Sequence, residues 1–530
     1  MPYASGTRFR LMWFDKNLRN IRDTLCMLRD AAVDSNDDEL KEIYRRYRMY
    51  YRNALQVAKI NASSTYIKNS ANKSKASWTI VNRYRREALS HANNTMTPDE
   101  VNRLFVDSAR EIIGGILRPD ISPLVWMPNN TFPGFDFNPV TTNDIRQAFL
   151  ALKCGNSRDI YGLSVNLIKG CRELLLRPLK DLINSSFKTG IFPDLLKTAA
   201  VIPTPKKGKG KTGDLRPISI LPVFSKIYEK LMSQQILTYL EKHDILNAAQ
   251  FGFRMGMGTQ NAVACILDEV ITAFENGEFA LLCTYDLSKA FDCMDHGILL
   301  SKLRSYGFKK KSCDLIASYF QGRTQIVRME SEHSEPIQIK TGTAQGSILG
   351  PLLFIIFLND LPHYLKDVVS VLYADDSNTV LRGKLLEDVV ERSNQTYIGI
   401  EKWFSCNGFA MNKEKSGELM LTLRKHNLKL KSFSVNVLGV HIDPTLSWNI
   451  HGDVIAKRLC KSVFLLRRLS FAVDRSVLRM TYFAVCHSLL TYCVLLWGHS
   501  AIAHRIFALQ RRAVRIVGHA EYRQDCRVYL

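Results

Sequence analysis

The chain contains 530 residues, 46% of them hydrophobic and 23% charged, which are the proportions of a globular protein and exclude a largely disordered one. Lys and Arg together number 72 against 50 Asp and Glu, so the net charge is +22. This charge favours a polyanionic partner, most often nucleic acid, although a basic protein that is merely soluble or ribosome-associated remains an alternative. The 12 cysteines have neither CxxC pairs nor zinc-finger spacing, which indicates reduced thiols in an intracellular protein.

Residues 1–117 are predicted to form a basic, mostly helical N-terminal extension. Twelve Lys and Arg residues lie between Lys41 and Ser90, against two Glu residues. A helical arm that grips phosphates explains this pattern, and a solvated helical linker explains it nearly as well. The beginning of the chain has no apolar stretch of signal-peptide length, so we expect the nucleus, the cytoplasm or both. Residues 118–140 are rich in Pro and Asn, which predicts a linker or an extended wrapping segment.

The segment 141–440 mixes helical and strand-like patterns, which predicts an α+β fold. Thr141 and Asp144 can cap a helix that continues as IRQAFLALK. Two short apolar runs, AAVIPTP at 199–205 and FALLCTYD at 279–286, have the length and composition of strands, and the second ends in a carboxylate. The lysines of the loop KKGKGKTGD, which follows the first run, can contact phosphates or simply be solvated.

The segment 441–530 is predicted to form basic helices. Eleven Lys and Arg residues against one Asp lie between residues 457 and 515, which suits a surface that follows phosphates. The stretch Thr481–Trp497 approaches the length of a membrane span, but it contains His487 and threonines, so we expect a buried helix and no membrane. One basic helix is expected to carry a single apolar stripe made of Ile455, Leu459, Val463, Leu466 and Leu469.

The sequence SVLYADDSNTVL at 370–381 contains two adjacent carboxylates, Asp375 and Asp376, within an apolar run. Two ionised carboxylates in contact repel each other, and a divalent cation would relieve the repulsion because Mg²⁺ prefers hard oxygen ligands. Asp286, at the end of a predicted buried strand, could provide a third acid. Three such acids can hold two Mg²⁺ ions, one to activate a hydroxyl and one to stabilise a leaving phosphate. An Asp-Asp pair alone is more often a solvated turn, so this hypothesis depends on the neighbouring motifs.

Several motifs occur in order around these acids: LRPISILPVFSKIYEKL, YDLSKAFD, AQGSILGPLLFIIFLNDLP and YADD. Together with NSRDIYGLSVNLIK, AAQFGFRMGMGTQNAV, LGVHIDPTLSWNIH, LLTYCVLLWGHS and LQRRAVRIVG, they resemble the reverse transcriptases of non-LTR retrotransposons, most closely those of jockey-like elements. The resemblance extends over about residues 100–520. A chance match is implausible, because the motifs follow one another in the family's order. It implies a right-hand polymerase fold, with fingers and palm at 141–440 and a thumb and truncated C-terminal region at 441–530.

The resemblance also implies an activity, which is RNA-directed DNA polymerisation. Such an enzyme extends a DNA 3′-hydroxyl on an RNA template, with deoxynucleoside triphosphates as substrates and two Mg²⁺ ions, or Mn²⁺, as cofactors. Asp286, Asp375 and Asp376 would be the catalytic, metal-binding carboxylates. The backbone carbonyl of Leu287 would be a further metal ligand.

Substrate contacts are likewise implied residue by residue. Phe291 would be the steric gate that excludes a 2′-hydroxyl, although without the resemblance a core aromatic would be the preferred interpretation. Leu438 and Gly439 would form the turn that grips the primer. The residues expected to contact the incoming nucleotide, or to lie beneath its base pair, are Lys206 (or its neighbour Lys207), Arg216, Gln345, Gly346 and Lys415.

The sequence departs from the family in two respects. Ala344 stands where the family usually has a proline, which would stiffen the turn before Gln345, so activity or fidelity could be lower. Jockey-like elements usually carry an endonuclease upstream and continue further downstream, so we expect this chain to be a piece of an element that lacks the endonuclease domain.

There are two alternatives to a working retrotransposon reverse transcriptase. The first is a catalytically silent, nucleic-acid-binding remnant of such an element. The second is another templated polymerase, either an intron-encoded maturase or a viral RNA polymerase, and Ala374 and Phe291 both favour a reverse transcriptase over the viral enzyme. The sequence leaves open the preferred template RNA, the source of the primer nick, the oligomeric state, and whether the chain is expressed.

Overall fold

The computed structural model divides the chain into two compact units, one formed by residues 1–91 and 447–530 and the other by residues 92–446. The smaller unit therefore combines both ends of the chain, whereas the sequence analysis treated an N-terminal extension and a C-terminal thumb separately. The residues that the structure describes are 13–35, 37–85, 96–205, 215–330, 332–424, 433–521, 524–526 and 528.

Three helices form the described N-terminal part of the smaller unit: α1 (Lys16–Asp34), α2 (Asp38–Asn69) and α3 (Lys73–Arg85). Asp15 and Asp37 cap α1 and α2, because each aspartate accepts a hydrogen bond from a backbone N–H of the first turn. The described part of this region is therefore mostly helical.

The larger unit begins with α4 and a stretch of helices and extended chain. Pro119–Val140 contains one turn of 3₁₀-helix (Pro123–Trp126) and is otherwise irregular, but Phe135 within it is buried and its backbone bridges to Phe308. At Phe135 this segment therefore contacts the core of the larger unit. The helices are α4 (Pro98–Gly114), α5 (Thr142–Ala151), α6 (Val165–Gly170) and α7 (Arg172–Thr189), followed by a 3₁₀ turn (Asp194–Leu196).

The rest of the larger unit alternates strands and helices. In chain order these are β1 (Thr198–Pro205), β2 (Leu215–Ile220), α8 (Val223–Lys242), α9 (Thr259–Glu275), β3 (Phe279–Tyr285), α10 (Ala290–Cys293), α11 (His296–Ser305), α12 (Lys310–Phe320), β4 (Thr324–Met329), β5 (Glu332–His333), β6 (Ile337–Gln338), α13 (Gly350–Phe357), α14 (Leu361–Tyr364), β7 (Val369–Tyr373), β8 (Asp376–Gly383), α15 (Leu386–Cys406), β9 (Gly417–Leu421), β10 (Val435–Val437) and β11 (Val440–Ile442).

Within the described residues, β7, β8, β3 and β9 form an antiparallel sheet in that order, which we call the central sheet. The helices α9 and α15 pack against it. A second sheet has the order β2-β1-β4-β5, with β6 also paired to β4, and α4 packs on β4. The main core lies between these sheets and the helices, and α13 is buried along almost its whole length.

The C-terminal part of the smaller unit contains α16 (Asn449–Leu469), α17 (Arg475–Tyr482), one π-helical turn (Phe483–His487), α18 (Ser488–Thr491), α19 (Val494–Trp497) and α20 (Ala503–Gly518). These helices pack against the N-terminal ones. The hydroxyls of Ser77 and Thr481 lie 3.2 Å apart and are buried, and Lys68 pairs with Asp474 at 3.1 Å.

Several predicted elements are confirmed. Thr141 and Asp144 form the two reciprocal hydrogen bonds of a capping box at α5, both predicted strands form (β1 and β3), and all five residues of the apolar stripe on α16 are buried.

The prediction of one continuous buried helix at Thr481–Trp497 is wrong. Helix α18 ends at Thr491. The next residue, Tyr492, is extended and Cys493 has a left-handed conformation, so the chain turns before α19. Leu495 is 90% exposed. No helix in the described part of the chain is long and apolar enough to cross a membrane.

Candidate active site

The two adjacent aspartates lie at the tip of the β7–β8 hairpin. Tyr373 pairs with Asp376, so Ala374 and Asp375 form a two-residue loop. Ala374 is buried and has a φ of +56°, a left-handed conformation that is unfavourable for a residue with a Cβ atom and needs support from its surroundings.

The segment before α9 supplies this support. The side-chain oxygen of Gln250 accepts the N–H groups of Gly252 at 2.7 Å and of Ala374 at 3.3 Å. Leu372 exchanges backbone hydrogen bonds of 2.8 Å with Ala249 and Phe251. A Cβ atom at Gly252 would lie 2.4 Å from the Ala374 nitrogen, so the hairpin tip and this segment approach as closely as their backbones allow.

Asp286 follows β3 directly, beside this tip. Tyr285 pairs with Ser377 in the antiparallel register, so the next residue, Asp286, lies at the level of Asp376 on the neighbouring strand. The Asp286 N–H donates to the Ser416 hydroxyl at 3.2 Å, and its carbonyl accepts the N–H of Asn412 at 2.8 Å. The backbone on both sides of the Asp286 side chain is therefore fixed.

The three acids repel one another electrostatically. Desolvation, followed by the charges of Asp375 and Asp286, raises the pKa of Asp376 to about 6. Desolvation and the charge of Asp286 also raise the pKa of Asp375, and the positive charge of Arg216 partly opposes this. A set of carboxylates that destabilise each other's charged forms is chemically suited to bind cations.

Two predicted cationic residues lie near these acids. The Lys415 ammonium is 3.6 Å from Asp286 Oδ2, and Arg216, on β2, is exposed but close enough to act on Asp375. Lys206 and Lys207 lie outside the described residues. Leu287 is buried and its backbone bridges to Met411.

The acids do not form a closed ligand cluster as they stand. Across the described residues, no group of three or more His, Cys, Asp or Glu side chains is arranged to hold a metal ion. The donors fit Mg²⁺ chemically, because they are hard oxygen ligands with an excess of negative charge.

Phe291 lies on α10, five residues after Asp286. Its ring stacks on that of Phe354 with 4.3 Å between centroids and an interplanar angle of 28°. The residue is only partly buried, so one part of it belongs to the core and the rest reaches the surface.

The predicted nucleotide contacts Gln345 and Gly346 lie on the loop before α13. Gly346 has a φ of +132°, and a Cβ atom there would lie 2.5 Å from the Ser219 carbonyl oxygen, so the loop needs glycine where it meets β2. Ser219 in turn donates its N–H to the Gln345 carbonyl at 2.8 Å. The loop is thus attached to the strand that carries Arg216.

The predicted primer grip is a tight turn between β10 and β11. Leu438 and Gly439 both have positive φ, at +49° and +89°, which matches the two-residue type I′ turn favoured in hairpins. The hairpin follows β9 in the chain, and β9 is the strand that pairs with β3.

Two further acids support the site, and the sequence analysis missed both. Asp292 accepts hydrogen bonds from the Gln345 amide. Glu229 is fully buried on α8 and accepts the N–H groups of Ile348 and Leu349, at 2.7 and 3.2 Å, immediately before α13. A carboxylate at this position stabilises the start of a helix. No sequence signal marks this role of Glu229, since the backbone N–H groups of Ile348 and Leu349 lie about 120 residues away in the chain.

The comparisons with known proteins agree with this geometry. Residues 204–442 match the family model described as "Reverse transcriptase (RNA-dependent DNA polymerase)". The chain is 26% identical over 410 residues to "Probable RNA-directed DNA polymerase from transposon BS" of Drosophila melanogaster, an alignment that covers 72% of this chain and 45% of the relative.

Two other relatives have the name "RNA-directed DNA polymerase from mobile element jockey". The protein of Drosophila funebris is 26% identical over 410 residues, 73% of this chain and 44% of the relative. The protein of Drosophila melanogaster is 26% identical over 411 residues, 72% of this chain and 44% of the relative. The alignments therefore span less than half the length of these relatives. Residues 204–442 thus match a reverse transcriptase domain, and over most of its length the chain is similar to the RNA-directed DNA polymerases of jockey and other non-LTR retrotransposons.

Proposed function

We propose that this chain is an RNA-directed DNA polymerase of a non-LTR retrotransposon, which extends a DNA 3′-hydroxyl along an RNA template. The observation that carries the proposal is the arrangement of Asp286, Asp375 and Asp376 at neighbouring strand ends of the central sheet, within the matched domain. Nothing in the described residues favours the alternative of a catalytically silent remnant.

Asp286, Asp375 and Asp376 would hold two Mg²⁺ ions, with the Leu287 carbonyl as an additional ligand. When bound, divalent cations at such acids activate the attacking hydroxyl and neutralise charge on the leaving pyrophosphate. Desolvation and the repulsion between neighbouring acids raise the pKa of Asp375 and Asp376, which supports cation binding, because a positive charge between the acids removes the repulsion. Asp286 would exchange its contact with Lys415 for this role.

The cationic residues would bind the triphosphate. The guanidinium of Arg216 matches phosphate oxygens with two donors, whereas Lys415 and Lys206 would act as point charges. The ring of Phe291, held against Phe354, would leave room for deoxyribose and exclude a 2′-hydroxyl. Gln345 and Gly346 would lie beneath the nascent base pair.

The remaining expected contacts involve the primer and template. Leu438 and Gly439 would grip the primer end. In the smaller unit, the basic helices α2 and α16 have many Lys and Arg residues that can neutralise phosphates, so binding to template and primer would weaken steeply with salt.

Primer extension by the purified chain tests this function. With Mg²⁺, an RNA template and an annealed DNA primer, we expect extension with deoxynucleotides and not with ribonucleotides. Asp375→Asn should abolish extension, whereas Asp367→Asn, a change at an exposed acid, should leave it intact. A folded wild-type chain that binds the template and primer but does not extend the primer, with either Mg²⁺ or Mn²⁺, would contradict the proposal.

A further inference from the structure

Helix α10 and the segment 341–345 are joined through their backbones. The Thr343 N–H donates to the Phe291 carbonyl at 2.8 Å, and the Thr341 hydroxyl donates to the Asp292 carbonyl at 3.1 Å. Gly342 has a φ of +74°, and a Cβ atom there would lie 2.5 Å from the Asp292 carbonyl oxygen. The position of Asp292 relative to Gln345 is therefore set by the backbone.

The side chains of these two residues meet directly. Gln345 Nε2 lies 3.1 Å from Asp292 Oδ1 and 3.1 Å from Asp292 Oδ2. An ionised carboxylate can only accept hydrogen bonds, so the amide must present its nitrogen to Asp292. This requirement fixes which end of the Gln345 amide points away from Asp292, namely the carbonyl oxygen Oε1.

The environment strengthens this hydrogen bond. Asp292 as a residue is half-buried, but its carboxyl group is shielded enough for desolvation to raise its pKa, while the Gln345 hydrogen bond and the charge of Lys289 partly oppose the shift. Hydrogen bonds to a charged group in a poorly solvated site are stronger than those in water. Turning the amide around would leave the carboxylate facing another acceptor.

The Gln345 side chain would otherwise be free to rotate. Its backbone is held by Ser219 on one side and by the contacts of Thr343 on the other, but the side chain borders a cavity of about 360 Å³, which Asp292, Pro217 and Ser219 also line. Among the described residues, the side-chain hydrogen bonds of Gln345 are those of Nε2, and none is formed by Oε1. That oxygen remains available as an acceptor.

We propose that Asp292 is a positioning residue, which holds the Gln345 amide so that Oε1 accepts a hydrogen bond from the incoming deoxynucleotide. A nucleotide offers such donors on its sugar hydroxyl and on the amino groups of its base. Asp292 itself does not touch the substrate. This inference rests on the proposed polymerase function and on the role of Gln345 within it.

The variant Asp292→Asn tests the inference with minimal change of shape. An asparagine can accept from or donate to Gln345, so the amide can adopt both orientations, and the correct one is no longer enforced. We expect KM for deoxynucleotides to rise about tenfold, the scale of one charge-assisted hydrogen bond, with kcat and Tm nearly unchanged. Asp268→Asn, at an exposed acid on α9, is the matched control and should leave KM unchanged.

A double-mutant cycle distinguishes positioning from a general structural role. In a Gln345→Ala background, Asp292→Asn should have no further effect on KM, because the group through which it acts is gone. An equal rise in KM in both backgrounds would overturn the inference, and so would an unchanged KM in Asp292→Asn.

Binding of a non-hydrolysable deoxynucleotide analogue to the complex with template and primer distinguishes a failure of the proposed function from a failure of the inference about Asp292. If the wild-type chain neither extends a primer nor binds the analogue, the proposed function fails and the inference fails with it. If the wild-type chain extends primers and Asp292→Asn binds the analogue with unchanged Kd, only the inference fails. A Kd about tenfold higher in the variant supports both.

Discussion

The larger unit contains two sets of carboxylates, one fully buried and one partly exposed, whose charges are compensated in different ways. Asp360 and Lys302 are fully buried, and the Lys302 ammonium lies 2.6 Å from Asp360 Oδ1 and 2.8 Å from the Phe357 carbonyl oxygen. At the end of the central sheet, Asp286, Asp375 and Asp376 instead lie beside one another, and the pKa values of the last two are raised.

The difference indicates what each set does. The buried pair is neutralised by the chain itself, so its removal should affect folding. The acids of the central sheet are only partly compensated, by Lys415 and Arg216 at the periphery. They are suited to accept a charge from outside the chain, so their removal should affect activity and leave folding intact.

The largest expected effect is on activity. Asp286→Asn should lower primer extension by about 10³-fold or more, because groups that act as one unit fail together when one of them is removed. Its Tm should remain near that of the wild-type chain, since the contact that it loses with Lys415 is exposed. Steady-state extension assays measure the activity of Asp286→Asn, and thermal unfolding of the same preparation measures its Tm. A large fall in Tm would contradict the expectation that the acids of the central sheet are not needed for folding.

The converse experiment acts on the buried pair. Lys302→Met should destabilise the fold by about 3–5 kcal/mol, because it leaves the Asp360 charge buried without a partner. Denaturant unfolding measures this change. The double variant Lys302→Met/Asp360→Asn should recover part of the lost free energy of unfolding, because no unpaired charge remains. A Lys302→Met protein with wild-type stability would contradict a structural role of this pair.

Phe291 lies between the two sets of carboxylates. Its ring stacks on that of Phe354, which is on α13, and the last carbonyl of α13 accepts a hydrogen bond from Lys302. Phe291→Val should increase the use of ribonucleotides relative to deoxynucleotides by about 10- to 100-fold, since a smaller side chain admits the 2′-hydroxyl. Competition between the two nucleotide types in primer extension measures this ratio. Phe354→Leu also removes the stacking but keeps the ring of Phe291, and it should leave selectivity within a few fold of the wild-type chain. A change in selectivity as large as that of Phe291→Val would assign the effect to packing.

A smaller effect is expected at His296, a half-buried histidine outside the candidate site. His296 stacks on Phe320 at 4.0 Å, and its Nε2 donates to the Gly342 carbonyl at 2.7 Å. Desolvation lowers the pKa of His296, so below about pH 6.5 the unfolded chain binds its proton more readily and the folded state loses stability.

We therefore expect Tm to fall as the pH decreases from 6.5 to 5, and the fall to be shallower in His296→Gln. Thermal unfolding across this range measures the slope. His333→Gln, at an exposed histidine, is the control and should keep the wild-type slope, whereas an unchanged slope in His296→Gln would exclude His296 as its source.

Much of the candidate site could be predicted from the sequence because its parts are local and ordered. The acids lie within short motifs of fixed order, and Asp286 ends an apolar run whose length fixes it as a strand. The turn at Leu438 and Gly439 is likewise contained within a few residues.

The parts that could not be predicted depend on distant partners. Lys302 lies on an ordinary amphipathic helix, and nothing near it in the sequence marks the buried partner Asp360, 58 residues later. Asp292 and Glu229 were missed for the same reason, since their partners are on the loop before α13. The stretch Thr481–Trp497 was misread because apolar composition does not reveal the left-handed residue, Cys493, that interrupts it.

If cations complete the acids of the central sheet, Mg²⁺ should stabilise the folded chain, and thermal unfolding with and without Mg²⁺ measures this effect. We expect that adding Mg²⁺ at pH 7 raises the Tm of the wild-type chain, because an ion that binds only the folded state stabilises it. The same addition should have no effect on the double variant Asp375→Asn/Asp376→Asn, whose metal-free Tm should equal or exceed that of the wild-type chain. An equal Mg²⁺ response in both proteins would contradict cation binding by these acids.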